Sequence, residues 1–291
     1  MPELPEVEVT RRRIAPVLVG RRVVRVRTTK PSYFFLTPPA QLRRGLEGRA
    51  VAGLERRGKY LLASVEGGSQ LLLHLGMTGQ LFSSNVASVR LLSATTRASL
   101  APEAQLRFEP DAHTHLRLEF DDGGPHVFFR DVRKFGKVQL LAPGEECERL
   151  AKLGPDALGL TGAALFAATR DRVVAIKSLL LDQAVTAGAG NIYADEALFL
   201  AGVRPTRRAH KLKRDESERI AEALKRVLLR SIETGGSSIS DYVAPDGSDG
   251  AYQDERRVYA REGEACAQCG ARIKRIVIGQ RSAHYCPACQ K

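Results

Sequence analysis

The chain has 291 residues and a formal charge of +12, from 45 Lys+Arg against 33 Asp+Glu. This length exceeds one small domain, and an excess built mostly of arginine calls for a polyanionic partner, either nucleic acid or an anionic membrane surface. No apolar run nears the roughly 20 residues that span a bilayer, and the acidic N-terminus is unlike the basic head of a signal peptide, so a soluble cytoplasmic protein is expected.

The chain opens Met1-Pro2-Glu3-Leu4-Pro5-Glu6-Val7-Glu8. Removing Met1 would leave Pro2 as a free secondary amine, which can attack an aldehyde-like carbon and form an iminium ion. Glu3 and Glu6 follow within one helical turn and could move protons beside that amine. A start codon followed by a proline-capped helix explains the same octapeptide, and Glu6 suits first-turn helix stabilisation equally well. Residues 3–19 predict a helix: Leu4, Val7, Ile14 and Leu18 mark one face, and Gly20 ends it. The stretch 11–30 carries eight basic and no acidic residues, which reads as a solvated helix and strand face.

Strand-like segments recur at 21–28, 50–56, 60–65, 70–75, 116–120, 127–130 and 137–141. Short strands divided by Gly and charged turns predict a sandwich or barrel. The interval 83–114, rich in Ser, Ala, Thr and Leu, predicts an inserted loop with a short helix. From about residue 145 the pattern turns helical, with helices expected at 158–169, 173–184, 192–200 and 217–232. Gly235-Gly236 closes that region, and 237–263 is rich in turn residues.

Four of the five cysteines fall in the last 26 residues as Cys266-x-x-Cys269 and Cys286-x-x-Cys289, separated by 16 residues. A two-residue spacer lets both thiolates of a knuckle face one metal, and two knuckles complete a tetrahedral Zn²⁺ site. Two disulfides are the alternative, and they need an oxidising compartment. Cys147 is left as a structural or surface thiol. The expected fold is α+β and multidomain: a β-sandwich with a leading helix over 1–144, a helical domain over 145–236, and a loop with a zinc finger over 237–291.

Five blocks make the chain similar to the bacterial formamidopyrimidine-DNA glycosylases, which excise oxidised purines. They are the opening octapeptide from Pro2, Arg57-Gly58-Lys59-Tyr60-Leu61-Leu62, His74-Leu75-Gly76-Met77-Thr78-Gly79, Gly188-Ala189-Gly190-Asn191-Ile192-Tyr193, and the finger with Gln280-Arg281 before Cys286. The resemblance implies a helix–two-turn–helix module in the helical domain and one structural zinc. It implies action on damaged double-stranded DNA as glycosylase and lyase, in a bacterial cytoplasm and on the nucleoid; nothing in the sequence suggests more than a monomer.

By that resemblance Pro2 is the nucleophile, Glu3 the general acid/base, and Lys59 and Arg281 grip phosphates beside the lesion. Asn191, Lys177 and Tyr193 are DNA contacts of the helical module. Met77, Arg133 and Phe135 fill the stack that the extruded nucleotide vacates. Each has an ordinary reading too: Lys59 a solvated turn lysine, Asn191 an N-cap, Met77 core, Arg133 a surface charge, Phe135 a strand residue. Segment 237–250 is expected to read the everted base, with Ser237, Ser238 and Tyr242 as polar candidates.

The chain departs from the family at Lys134, where many members have arginine, at Lys177-Ser178-Leu179 in place of Lys-Pro-Trp, and in the longer interval 83–114. A sister enzyme, endonuclease VIII, shares the Pro2-Glu3 chemistry but carries glycine where this chain has Leu4. A non-catalytic zinc-dependent DNA-binding protein would explain charge and cysteines, but not the N-terminal proline.

Overall fold

The computed structural model describes residues 1–84, 110–239 and 242–291, so the loop and helix expected within 83–114 lie almost wholly outside the described residues. Two compact units divide the chain. Met1–Cys147 and Thr234–Ala251 form the first, and Glu148–Glu233 with Tyr252–Lys291 form the second.

In the first unit, helix α1 spans Leu4–Ile14 and tightens into a 3-10 turn over Ala15–Val17. It stops short of residue 19 because Pro16 has no N–H to continue the ladder. Then come β1 (Val23–Thr28), α2 (Pro39–Leu46), β2 (Val51–Arg57), β3 (Tyr60–Val65), β4 (Gln70–His74), β5 (Gly79–Ser83), β6 (Thr114–Phe120), β7 (Val127–Asp131) and β8 (Lys137–Leu141). The strands form two antiparallel four-stranded sheets, ordered β1-β6-β7-β5 and β2-β3-β4-β8. One apolar cluster draws Val26, Leu81, Leu118 and Phe129 from the first sheet and Leu54, Leu61, Leu73 and Val138 from the second. A core shared by two sheet faces is a sandwich. Val7, Ile14 and Leu18 join the same cluster, which docks α1 onto it.

Two elements of this unit were not anticipated. Helix α2 is only eight residues long and starts on Pro39, a residue favoured in a first helical turn. Strand β5 buries four residues in a row, so it lacks the alternation that marks a half-buried strand.

The second unit holds α3 (Glu148–Ala151), α4 (Gly162–Thr169), α5 (Ile176–Leu181), α6 (Asn191–Leu200), α7 (Arg214–Glu233) and the hairpin β9 (Lys274–Ile278) with β10 (Arg281–Tyr285). Helix α4 starts later than residue 158 because Thr161 caps it, its hydroxyl accepting from Ala164 N at 3.1 Å. Val173 and Val174 stay outside α5, and the Val174 carbonyl accepts from Ala209 N instead. The finger shares a core with α6: Phe199 clusters with Val258, Cys266, Ile273 and Cys286.

The sequence grouped 237–291 as one domain, and the structure partitions it. Segment Thr234–Ala251 closes on itself through Ala251 N to Thr234 O and packs with the first unit, while the finger packs with the helices. Among the described residues no helix is long and apolar enough to cross a membrane.

Candidate active site and nucleic-acid interface

Pro2 and Glu3 are buried at the head of α1, with Glu3 only 3% exposed. Glu3 is the N-cap in extended conformation, and it forms a reciprocal capping box with Glu6. The Glu3 amide donates to Glu6 Oε2 at 2.8 Å, and the Ser237 amide donates to Glu6 Oε1 at 2.9 Å. Both oxygens of Glu6 therefore hold backbone, which favours the structural reading of this residue over proton transfer. At the other end of α1, Arg13 donates to Asp246 Oδ1 at 2.5 Å. The residues proposed to read the base are folded into this segment. Ser237, Ser238 and Tyr242 are buried, and the Ser238 hydroxyl accepts from Gly250 N at 2.9 Å. Burial and the Glu6 charge push the Tyr242 phenol well above its ordinary pKa, so it stays a neutral donor.

Lys59 sits in a two-residue hairpin loop, because Arg57 pairs with Tyr60 across β2 and β3. Its position is fixed by a chain of charges that the sequence did not reveal. Glu8 accepts from Arg11 at 2.8 Å, Arg12 at 2.8 Å and Arg56 at 3.2 Å. Arg56 in turn donates to the Gly58 carbonyl at 3.0 Å. Burial alone would raise the Glu8 pKa, but the guanidiniums outweigh it and hold the carboxyl down at about 2. Lys59 is buried at 8% exposure, so its solvated-turn reading fails.

The proposed wedge is built from two adjoining loops. Met77 lies in the β4–β5 turn at 37% exposure, and Phe135 in the β7–β8 loop at 43%. Arg133 is also exposed, with its guanidinium 4.6 Å from the Phe135 ring centroid. Solvent-facing Met and Phe overturn their core and strand readings. The residue that unites the loops is Asp131, which is fully buried. Its Oδ1 accepts from the Thr78 hydroxyl at 2.5 Å and from Arg133 N at 3.2 Å, and its Oδ2 from Gly136 N at 2.7 Å. Gly76 completes the fit, because a Cβ there would lie 2.5 Å from the Phe135 carbonyl carbon and Gly136 nitrogen. Tyr33 adds a hydrogen bond from its hydroxyl to the Arg133 carbonyl at 3.2 Å.

In the second unit Gly190 caps α6 and Asn191 is its first helical residue, so the N-cap reading of Asn191 fails. Its Nδ2 reaches Ser282 Oγ at 3.3 Å, and its Oδ1 has no hydrogen-bond partner among the described residues. Gln183 braces the preceding loop, donating to Ala189 O at 2.9 Å and accepting from Gly188 N at 2.9 Å. Lys177 and Tyr193, expected as DNA contacts, are instead fully buried. Lys177 Nζ lies 2.6 Å from Asp195 Oδ1, and the Tyr193 hydroxyl 2.6 Å from Ser231 Oγ. Asp195 Oδ2 also accepts from His284 N at 2.8 Å, so one buried ion pair ties α5 and α6 to β10. Removing either partner of such a pair costs about 3–5 kcal/mol. Arg281 opens β10 and is exposed, directly after a tight turn whose Gly279 and Gln280 both have positive φ, 53° and 63°.

The four finger cysteines have Sγ atoms all within 4.8 Å of one another. Zn–S bonds of about 2.3 Å in a tetrahedron place sulfurs roughly 3.8 Å apart, so the cluster fits one Zn²⁺. Cys266 to Cys289 at 4.0 Å and Cys269 to Cys286 at 3.4 Å are too long for disulfides. Gln290 supports the site, its Oε1 accepting from Cys286 N and its Nε2 donating to Val203 O, both at 2.8 Å.

Comparison with known proteins agrees over most of the chain. The formamidopyrimidine-DNA glycosylase N-terminal domain matches residues 1–138, the H2TH domain of the same enzymes 153–243, and the zinc finger found in FPG and IleRS 263–291. A formamidopyrimidine-DNA glycosylase of Xanthomonas campestris pv. campestris (strain B100) is 40% identical over 294 residues, covering 100% of both chains. The crystal structure of the MutM (Fpg) protein of Thermus thermophilus has a TM-score of 0.83 at 37% identity, over 99% of this chain and 98% of that one. A complex of Lactococcus lactis Fpg with DNA containing Fapy-dG has a TM-score of 0.84 at 32% identity, over 99% and 100%.

Proposed function

The chain belongs to the formamidopyrimidine-DNA glycosylase family, and on that footing we propose that it excises oxidised purines, 8-oxoguanine and formamidopyrimidines, from damaged duplex DNA. It is a DNA glycosylase of base excision repair that is also an abasic-site lyase. With Met1 removed, the Pro2 nitrogen attacks the sugar C1′. The C1′–N bond to the damaged base breaks, and the base leaves with a proton. An α-amine has a pKa of about 8, and basic surroundings lower it, so the neutral nucleophile is populated near pH 7. Glu3 protonates the sugar ring oxygen as the ring opens to an iminium. The iminium acidifies the C2′ hydrogen. Its loss expels the 3′ phosphate, and a second elimination expels the 5′ phosphate.

The observation that carries this reading is the seating of Pro2 and Glu3 at the head of α1, with the Glu3 amide fixed by Glu6. Lys59, Asn191 and Arg281 supply phosphate contacts, and Met77, Arg133 and Phe135 fill the vacated stack. Lys177 and Tyr193 shape the surface from beneath it rather than touching DNA. The four cysteines hold a structural zinc, since four thiolates leave no coordination position for water. The enzyme works as a monomer in the bacterial cytoplasm, on the nucleoid.

The test is borohydride reduction during cleavage of matched duplexes carrying 8-oxoguanine, formamidopyrimidine or thymine glycol. A covalent protein–DNA adduct with the two purine lesions is expected. Absence of any adduct would overturn the mechanism, and preference for thymine glycol would move the enzyme to the pyrimidine-directed sister class.

A further inference from the structure

Segment Thr234–Ala251 contains the residues expected to read the everted base, and it is fastened to α1 at two separate places. At its root the Ser237 amide donates to Glu6 Oε1 at 2.9 Å. Gly236, at φ 88°, lets the root close on that side chain, since a Cβ there would lie 3.3 Å from Glu6 Cγ. At its tip the chain folds into a turn, with Gly247 N donating to the Ala244 carbonyl at 2.8 Å and Ala244 N to the Ser248 carbonyl at 3.0 Å. Two side chains of that turn accept from Arg13: Asp246 Oδ1 at 2.5 Å, and the Ser248 hydroxyl.

Glu6 and Arg13 are seven residues apart on α1. At 3.6 residues per turn and 1.5 Å per residue, they lie about 20° apart around the helix and about 10 Å apart along it. One face of α1 therefore runs under the segment as a rail, with Glu6 at one end and Arg13 at the other. Buried Tyr242 feels the charges of Glu6, Arg13 and Asp246 together, which places it between the two ties.

The ties differ in kind. The Glu6 bond takes a backbone amide of the segment in a buried setting. The Arg13 tie joins side chain to side chain, with Arg13 33% and Asp246 57% exposed. Burial raises the Asp246 carboxyl, but two bonds from Ser248 and the Arg13 charge outweigh it and hold it below its ordinary range, so the pair is ionised at neutral pH. A part-exposed pair adds little to the stability of a whole domain, so its effect falls on the piece it holds. Without it, the tip has to be ordered at the moment a base arrives, and binding slows or weakens accordingly.

We propose that Arg13 and Asp246 are positioning residues for base recognition, their ion pair holding the tip of Thr234–Ala251 in the arrangement that receives the everted base. This rests on the base excision proposed at Pro2. Cleavage is measured under single turnover, with zinc-loaded enzyme saturating, on two matched duplexes. One carries the lesion base that the wild type excises fastest, and the other a preformed abasic site. The abasic duplex presents no base, so its scission needs Pro2 but not the segment. Arg13→Ala and Asp246→Ala should each slow base excision about threefold to tenfold, the range that a part-exposed ion pair with a hydroxyl hydrogen bond supports. The double variant should be no slower than either single one, because both remove the same tie. Arg13→Lys, which keeps the charge, should lose less. Abasic scission, and the salt dependence of binding to that duplex, should stay at wild type in every variant. The inference is overturned if excision is unchanged or faster, if the losses add in the double variant, or if both duplexes slow together. A lower salt slope in Arg13→Ala would make Arg13 a phosphate contact and overturn it as well. A wild type that cuts neither duplex overturns the reaction at Pro2 itself, whereas a wild type that cuts both, with variants that slow both equally, overturns the tie alone.

Discussion

Replacing Asp131 with alanine tests whether the wedge is one rigid body. The carboxylate is fully buried and accepts from the Thr78 hydroxyl, Arg133 N and Gly136 N. A hydrogen bond to a charged group contributes about 1.5–3 kcal/mol, but three bonds to one acceptor are not additive. Freed groups at Arg133 and Thr78 lie near the surface and can recruit water, so the expected loss is about 3–5 kcal/mol. For a unit of this size that lowers the melting midpoint by about 6–20 °C. Asp131→Asn keeps one acceptor oxygen and should cost about 1–3 kcal/mol, and Thr78→Val about 1–2 kcal/mol. Thermal melting followed by near-UV circular dichroism reads the first effect, and single-turnover cleavage of an 8-oxoguanine duplex reads the second. Cleavage should slow in the same order, Asp131→Ala most, because Met77, Arg133 and Phe135 no longer enter the duplex together. If Asp131→Ala melts within about 2 °C of wild type and cleaves at the wild-type rate, the hub reasoning is wrong.

Protein that retains Met1 should bind lesion duplex yet give no borohydride adduct, because the Pro2 nitrogen is then an amide; mass spectrometry of active and inactive fractions checks this. The Cys266→Ser variant should lose stoichiometric zinc and its affinity for damaged duplex, measured by metal analysis and gel shift, while trapping at saturating DNA persists. Lys59→Ala and Arg281→Ala should each reduce the slope of log affinity against log salt by about one, since each removes one proposed phosphate contact. Glu8 titrates at about 2 in the fold against about 4.3 when unfolded, so its contribution is complete above that unfolded value and disappears as pH falls toward 2. Allowing for partly exposed arginine partners, it is worth about 1–2 kcal/mol, and the gap in urea stability between wild type and Glu8→Gln should close over that range.

The candidate site was legible where chemistry is local in sequence. Pro2 and Glu3 are adjacent, the cysteine knuckles announce a tetrahedral site by spacing, and every expected strand corresponds to a strand in the sandwich. Illegible were the long-range partners. Nothing in the order of residues pairs Glu8 with Arg56, or Asp131 with Thr78, because those contacts exist only after folding brings α1 onto β2 and the β4–β5 turn onto the end of β7. Lys177 shows the converse. Its place in a family motif suggested a DNA contact, and burial against Asp195 turned it inward. A local pattern cannot report which charge will find a buried partner.

In the proposed reaction the head of α1 has a kinetic meaning. The pyrrolidine ring forbids rotation about the Pro2 Cα–N bond. The next peptide plane is pinned through the Glu3 amide to Glu6, and the Glu3 carbonyl accepts from Val7 N at 3.1 Å. Between those two constraints a single torsion, ψ of Pro2, remains to aim the lone pair. A lysine nucleophile would bring a flexible four-carbon stem with about 2 kcal/mol of rotamer entropy to quench in each encounter. In the proposed reaction the attacking atom turns on one axle mounted directly on a helix, and its angular spread is set by that single torsion.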